Sequence, residues 1–212
     1  LTRADEFNGS AGSPPDPAAW FLPDERNYET GTLNWYRPQN VALDGQGRCV
    51  ITAKREAYQG FPFTSGRLES QAGVGEDLWV TPADNWAVEA SVQLPTGPGV
   101  WCAAPWFLGA SWDWQTPPRP GFRLWPGCGE VDHNEWYQCQ RNQIRINLVR
   151  ANGSWDARLV TLPFNIDEGF HVYRTECSGG EWRCYADGVL YVTFRKGDVP
   201  EWVGTYDRPF SL

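Results

Sequence analysis

Apolar and polar residues along this chain fall into short runs cut by Gly, Pro, Asn and Asp, with no stretch of helical period. Val50-Ile51-Thr52-Ala53, Trp86-Ala87-Val88-Glu89-Ala90-Ser91-Val92, Gln143-Ile144-Arg145-Ile146-Asn147-Leu148 and Val189-Leu190-Tyr191-Val192-Thr193-Phe194 read as strands. Ala186-Asp187-Gly188 ahead of the last of these is a hairpin turn signal. Such a pattern predicts an all-β sandwich rather than a mixed fold. The segment from Ala110 to Leu124 holds Trp112 and Trp114, several breakers and no strand pattern. It reads as a long surface loop, of the kind that usually carries function.

Length and charge narrow the classes. At 212 residues, against roughly 150 per domain, the chain fits one large all-β domain over 1–212. Lys+Arg number 18 and Asp+Glu 26, for a net charge of −8. An acidic surface attracts neither nucleic acid nor an anionic membrane, so neither is expected as a partner, and a monomer is expected. Thirteen Trp, eight Tyr and ten Phe argue against disorder. The longest uncharged run, between Glu89 and Asp113, is broken by Pro95, Pro98 and Pro105, which argues against a membrane helix.

Six cysteines, at 49, 102, 128, 139, 177 and 184, include no CxxC pair, and only two His are present, so a zinc site is not expected. The even count in an acidic, Trp-rich chain fits a secreted protein with disulfides. Cys177 and Cys184 flank the turn sequence Ser178-Gly179-Gly180, and a bridge across that hairpin is the first expectation; Cys128 with Cys139 is the second.

The chemistry concentrates in residues 125–136, WPGCGEVDHNEW. On a regular strand Glu130 and Asp132 share a face, and Glu135 would point backward into the sandwich, where a lone carboxylate is costly. One inserted residue near His133–Asn134, a β-bulge, returns Glu135 to the face of the other two. The spacing E-x-D-x-x-E thus predicts three carboxyls in a row on one exposed face. Retaining glycoside cleavage needs two carboxyls roughly 5 Å apart, and crowded negative charge keeps one of them protonated near neutrality. Trp125 and Trp136 bracket the motif with indoles on which sugars stack. A solvated acidic strand or a calcium site is the bland alternative.

The motif resembles the signature of glycoside hydrolase family 16, in its bulged laminarinase-like branch, and the resemblance runs along nearly the whole chain. Asp5-Glu6-Phe7-Asn8-Gly9, Val50-Ile51-Thr52-Ala53-Lys54, Thr64-Ser65-Gly66-Arg67, Pro105-Trp106-Phe107-Leu108-Gly109, Phe170-His171-Val172-Tyr173 and Tyr185-Ala186-Asp187-Gly188 all look like family segments in order. The resemblance implies a β-jelly-roll sandwich of two curved antiparallel sheets with a glycan cleft, and endo-hydrolysis of β-1,3-glucan. It implies Glu130 as nucleophile, Asp132 as its assistant and Glu135 as acid/base. Trp125, Trp106 and Arg67 are the implied substrate contacts, with Asn147 standing where the family has a cleft histidine; Trp136 beside the motif and Trp112 and Trp114 on the loop are further candidate contacts by their placement in the sequence. No catalytic cofactor is implied; a structural calcium is, with Glu6 and the Gly45 carbonyl as its remaining ligands.

This chain departs from the family in places. His133 and Asn134 replace apolar residues between the acids, and His133 is expected to be a hydrogen-bonded structural residue. The loop over 110–124 is longer than usual, and Leu212 falls inside an expected strand. Other readings stay open: the same chemistry on a mixed-linkage glucan or a galactan, transglycosylation, or non-catalytic glycan binding.

Overall fold

The computed structural model describes residues 3–28, 31–70, 83–95, 97, 99–112, 117–118, 120–137, 141–200, 202, 205–206 and 209–211, with backbone alone at 136, 137 and 211. The chain falls into two compact units, Leu1–Trp79 and Val80–Leu212.

The first unit holds β1 (Glu25–Arg26), β2 (Asn34–Tyr36), β3 (Val41–Leu43), β4 (Cys49–Ile51) and β5 (Phe63–Ser65). Strands β3 and β4 form a hairpin, with Cys49 opposite Leu43, and β1-β2-β5 form a second sheet. Within that sheet β2 and β5 run parallel, which the alternation of apolar residues could not have distinguished. Buried Asn40 is satisfied within this unit: its Nδ2 donates to the Thr52 carbonyl at 2.8 Å and to Thr64 Oγ1 at 2.9 Å.

The second unit is the sandwich. Its strands are β6 (Trp86–Val92), β7 (Trp101–Ala103), β8 (Trp106–Gly109), β9 (Glu130–Tyr137), β10 (Gln143–Val149), β11 (Trp155–Thr161), β12 (His171–Ser178), β13 (Glu181–Ala186), β14 (Val189–Arg195) and β15 (Phe210–Ser211). One antiparallel sheet runs β11-β10-β9-β8-β15, with β7 also on β9; the other runs β14-β13-β12-β6. Side chains alternate about each strand, so Phe107, Val131, Ile144, Ile146 and Leu148 of the first sheet meet Tyr173, Trp182, Val192 and Phe194 of the second. Trp182 is the hub, edge-on to Trp86 at 4.8 Å and to Phe210 at 4.9 Å between ring centroids. Asp187 and Gly188 both take left-handed φ, 47° and 77°, which closes β13 onto β14 as their sequence predicts.

The disulfide expectations are corrected. Cys177 lies opposite Trp182 and Cys184 opposite Thr175, two register positions apart on the core face. That diagonal separates the two by about 7–8 Å, too far for a bridge. Both are free thiols pushed up to about 12 by burial. Cys128 is also free and buried; Cys139 lies outside the described residues.

Candidate active site

Strand β9 does what the E-x-D-x-x-E spacing requires. Opposite β10, Asp132 pairs with Asn147 and Glu135 with Arg145. Three steps along β9 therefore match two along β10, and His133 with Asn134 together face Ile146: the predicted bulge. Glu130 with Val149, Asp132 with Asn147 and Glu135 with Arg145 consequently form three rows on one face. Across the other edge of β9 the rows continue to Leu108, Trp106 and Ala103 respectively.

The bulge residues find partners inside. Asn134 Nδ2 donates to the Ala104 carbonyl at 2.8 Å, and the Ala104 N–H returns to the Asn134 carbonyl at 3.0 Å. His133 crosses the sandwich, its Nδ1 2.6 Å from Thr175 Oγ1 and its ring edge-on to Tyr173. Burial drops its pKa to about 3, so the imidazole is neutral. It serves as a core hydrogen-bond group rather than a proton donor.

The acids occupy three different environments. Glu130 is partly buried, and Trp125 Nε1 donates to its Oε2 at 2.5 Å. Asp132 and Glu135 are each 4% exposed. Burial raises the Asp132 carboxyl well above the usual carboxylate range, and the adjoining Glu130 charge and hydrogen bond raise it further. The neutral form of Asp132 is thereby favoured, and in that form it donates to Glu130. Buried Asn147 donates Nδ2 to Glu135 Oε2 and, at 3.3 Å, to Asp132 Oδ2. One amide therefore spans the two inner acids.

The elevated Asp132 pKa predicts a pH effect. A carboxyl whose folded pKa lies above its unfolded value stabilises the fold below the unfolded value, and that contribution is lost as pH rises through the folded one. Asp132→Asn removes the dependence. Its melting temperature, followed by differential scanning fluorimetry, is expected to gain on the wild type as pH rises above 4. A constant offset would mean that Asp132 is ionised in the folded state.

The remaining expected contacts divide. Trp106 sits in register beside Asp132, and Trp125, 47% exposed, is anchored on Glu130. Trp112 lies on the loop after β8, its N–H bonded to the Gly109 carbonyl and its backbone bridged to Arg123. Trp136 is opposite Cys102; its side chain, and all of Trp114, lie outside the described residues. Arg67 belongs to the first unit, where its guanidinium pairs with Glu69 at 2.5 Å and lies over the Tyr36 ring.

Glu6 is exposed in that same unit, and Gly45 occupies a turn at φ 78°. The carboxylates near them are already engaged: Asp5 accepts from Phe7 N and Trp20 Nε1, and Asp44 from the Gln46 and Arg48 N–H groups. Among the described residues no group of three or more His, Cys, Asp or Glu could hold a metal.

Sequence reasoning overlooked two features of this region. Gly129, at φ 82°, lets the chain turn into Glu130 where a Cβ would lie 2.6 Å from Thr205 Cγ2. Its Gly after Cys128 was the available signal. Trp155 stands on the acid face of β11, opposite Val149; only strand register could reveal that.

No family model matches the chain. It is 32% identical over 162 residues to the clotting factor G alpha subunit of Tachypleus tridentatus, covering 75% of this chain but 21% of that protein, so the chain spans about a fifth of that relative's length. It is 27% identical over 236 residues to a beta-glucanase of Rhodothermus marinus, covering all of this chain and 73% of that one. Among solved structures, the endo-beta-1,3-glucanase of Pyrococcus furiosus superposes with a TM-score of 0.79 at 26% identity, covering 98% of this chain and 79% of the other. The strand-built architecture and its antiparallel sheets are those of the jelly-roll class read from the sequence.

Proposed function

We propose that this chain, which is similar to beta-glucanases and laminarinases along its length, is a retaining endo-glycosidase of the laminarinase-like branch of glycoside hydrolase family 16, cleaving internal β-1,3 linkages of a laminarin-like glucan. The observation that carries this reading is the bulge, which brings Glu130, Asp132 and Glu135 onto one face. A binding protein has no need to crowd three carboxyls at the cost of desolvating two of them.

In the proposed mechanism Glu130 attacks the anomeric carbon. The glycosidic C–O bond breaks, and Glu135 gives its proton to the departing oxygen. Trp125 Nε1 and the Asp132 carboxyl, both donating to Glu130, fix its attacking orientation. Asn147 fixes Glu135 in the same way. Water, deprotonated by Glu135, then attacks the glycosyl–Glu130 ester and releases the sugar with its configuration retained. The proposed site of action is extracellular, the compartment that the even cysteine count in an acidic, Trp-rich chain suggests.

The test is release of new reducing ends from laminarin, lichenan and a galactan. Release from laminarin is expected. Release from another polymer alone would move the substrate and keep the chemistry. No release from any, by a folded protein that retains laminarin in affinity electrophoresis, would make it a glycan-binding protein.

A further inference from the structure

Strand β11 has its polarity reversed over residues 155–159 for the outer strand of a sheet, before Val160 returns to the core. Register places Trp155, Ala157 and Leu159 on the acid face, opposite Val149, Asn147 and Arg145. All three are exposed, Trp155 by 49% and Leu159 by 67%. The alternate positions carry Asp156 and Arg158, which pair with each other, and Asp156 also lies 3.9 Å from Arg150. A half-solvated strand ordinarily turns its apolar residues inward and its charges outward. Outer strands in particular are guarded by outward charge. Here the outward row is apolar and borders the three acids.

We propose that Trp155, Ala157 and Leu159 form a sugar-stacking subsite for the β-glucan chain bound at the acids, one strand beyond β10. The proposal rests on the glucanase reading above. The rows Glu130–Val149–Trp155 and Asp132–Asn147–Ala157 are continuous across the sheet. Two strand spacings put Trp155 about 9–10 Å from the β9 backbone, past the ring being cleaved. Between them β10 contributes buried Val149 and Asn147, with the half-buried Arg145 confined to the row of Glu135 and Leu159. Ala157, flanked by Trp155 and Leu159, leaves a notch in the row of Asp132 that a pyranose ring can enter. Its apolar face then meets the indole, an exposed apolar surface otherwise left uncovered. The turn before β11 is set against the loop carrying Trp125, since a Cβ on Gly153 would lie 3.7 Å from Pro126 Cγ. Two half-exposed indoles therefore stand at the same end of the acid face.

A subsite removed from the cleaved bond adds uniform binding, which changes KM rather than kcat. Trp155→Ala is expected to raise KM for laminarin about 3- to 10-fold, the scale of one lost aromatic stack, at unchanged kcat. Kinetics on laminaritriose should move by less than twofold, and Trp155→Phe should recover most of the polymer KM. An unchanged polymer KM in Trp155→Ala, or equal impairment on polymer and trisaccharide, overturns the subsite while an active wild type leaves the glucanase reading standing. Should the wild type cleave no glucan, that reading fails by itself. Calorimetric titration with laminarin then decides the subsite: weaker binding by Trp155→Ala upholds it, and equal binding by both proteins overturns it.

Discussion

Replacing Glu130 by Gln is expected to lower kcat on laminarin by roughly 10⁴-fold or more while leaving the melting temperature and laminarin affinity close to wild type. The side chain is partly buried at the start of β9, and its Oε2 accepts from Trp125. A carboxamide keeps an oxygen for that bond, so the indole stays anchored. What it loses is the charge needed to displace the leaving group. The sharper version is Glu130→Ala with azide and an aryl β-laminaribioside. Azide entering the vacated space attacks the anomeric carbon directly, the aryl oxide departs, and one inversion gives an α-glycosyl azide. Failure of azide to restore turnover in Glu130→Ala would remove the nucleophile role from this residue.

The sequence made the acid row legible because a carboxylate's cost of burial leaves few solutions. Glu135 could not point into the core, so the odd spacing from Asp132 had to contain an extra residue, and the register shift opposite Ile146 supplies it. Strands β6, β10 and β14 were legible for the same kind of reason, since alternation about a half-buried sheet shows directly in the residues. What depends on pairing between distant segments was not. Thr175, the partner of His133, is 42 positions away, and nothing local to the motif points to it. The Cys177–Cys184 expectation failed because closeness in sequence across a turn does not give register: the two fall diagonally, each opposite a different residue. Trp155 was invisible for a similar reason, as its face is set by the length of the turn joining β10 to β11. The parallel pairing of β2 with β5 leaves no mark on strands three residues long.

Glu135→Gln is expected to cost about 10²- to 10⁴-fold on laminarin, the range for a lost general acid, and much less on substrates that need no acid. A 2,4-dinitrophenyl leaving group departs without a proton, so its glycoside should still load Glu130 quickly, and the signature is a burst of phenolate followed by slow turnover. The slow phase reports the second role of the same side chain, because water attacking the glycosyl–Glu130 ester has lost its base. Azide needs no base. In Glu135→Ala it should therefore accelerate the slow phase and, after two inversions, give the β-glycosyl azide. Asn147 would stay in place, since its Nδ2 still has Asp132 Oδ2 to donate to. The stereochemistry separates the two acids without reference to any other protein: opposite anomers from the Glu130 and Glu135 variants fit one nucleophile and one acid/base on the same face. The same anomer from both would mean that the bulge brings the carboxyls together for some other purpose than double displacement.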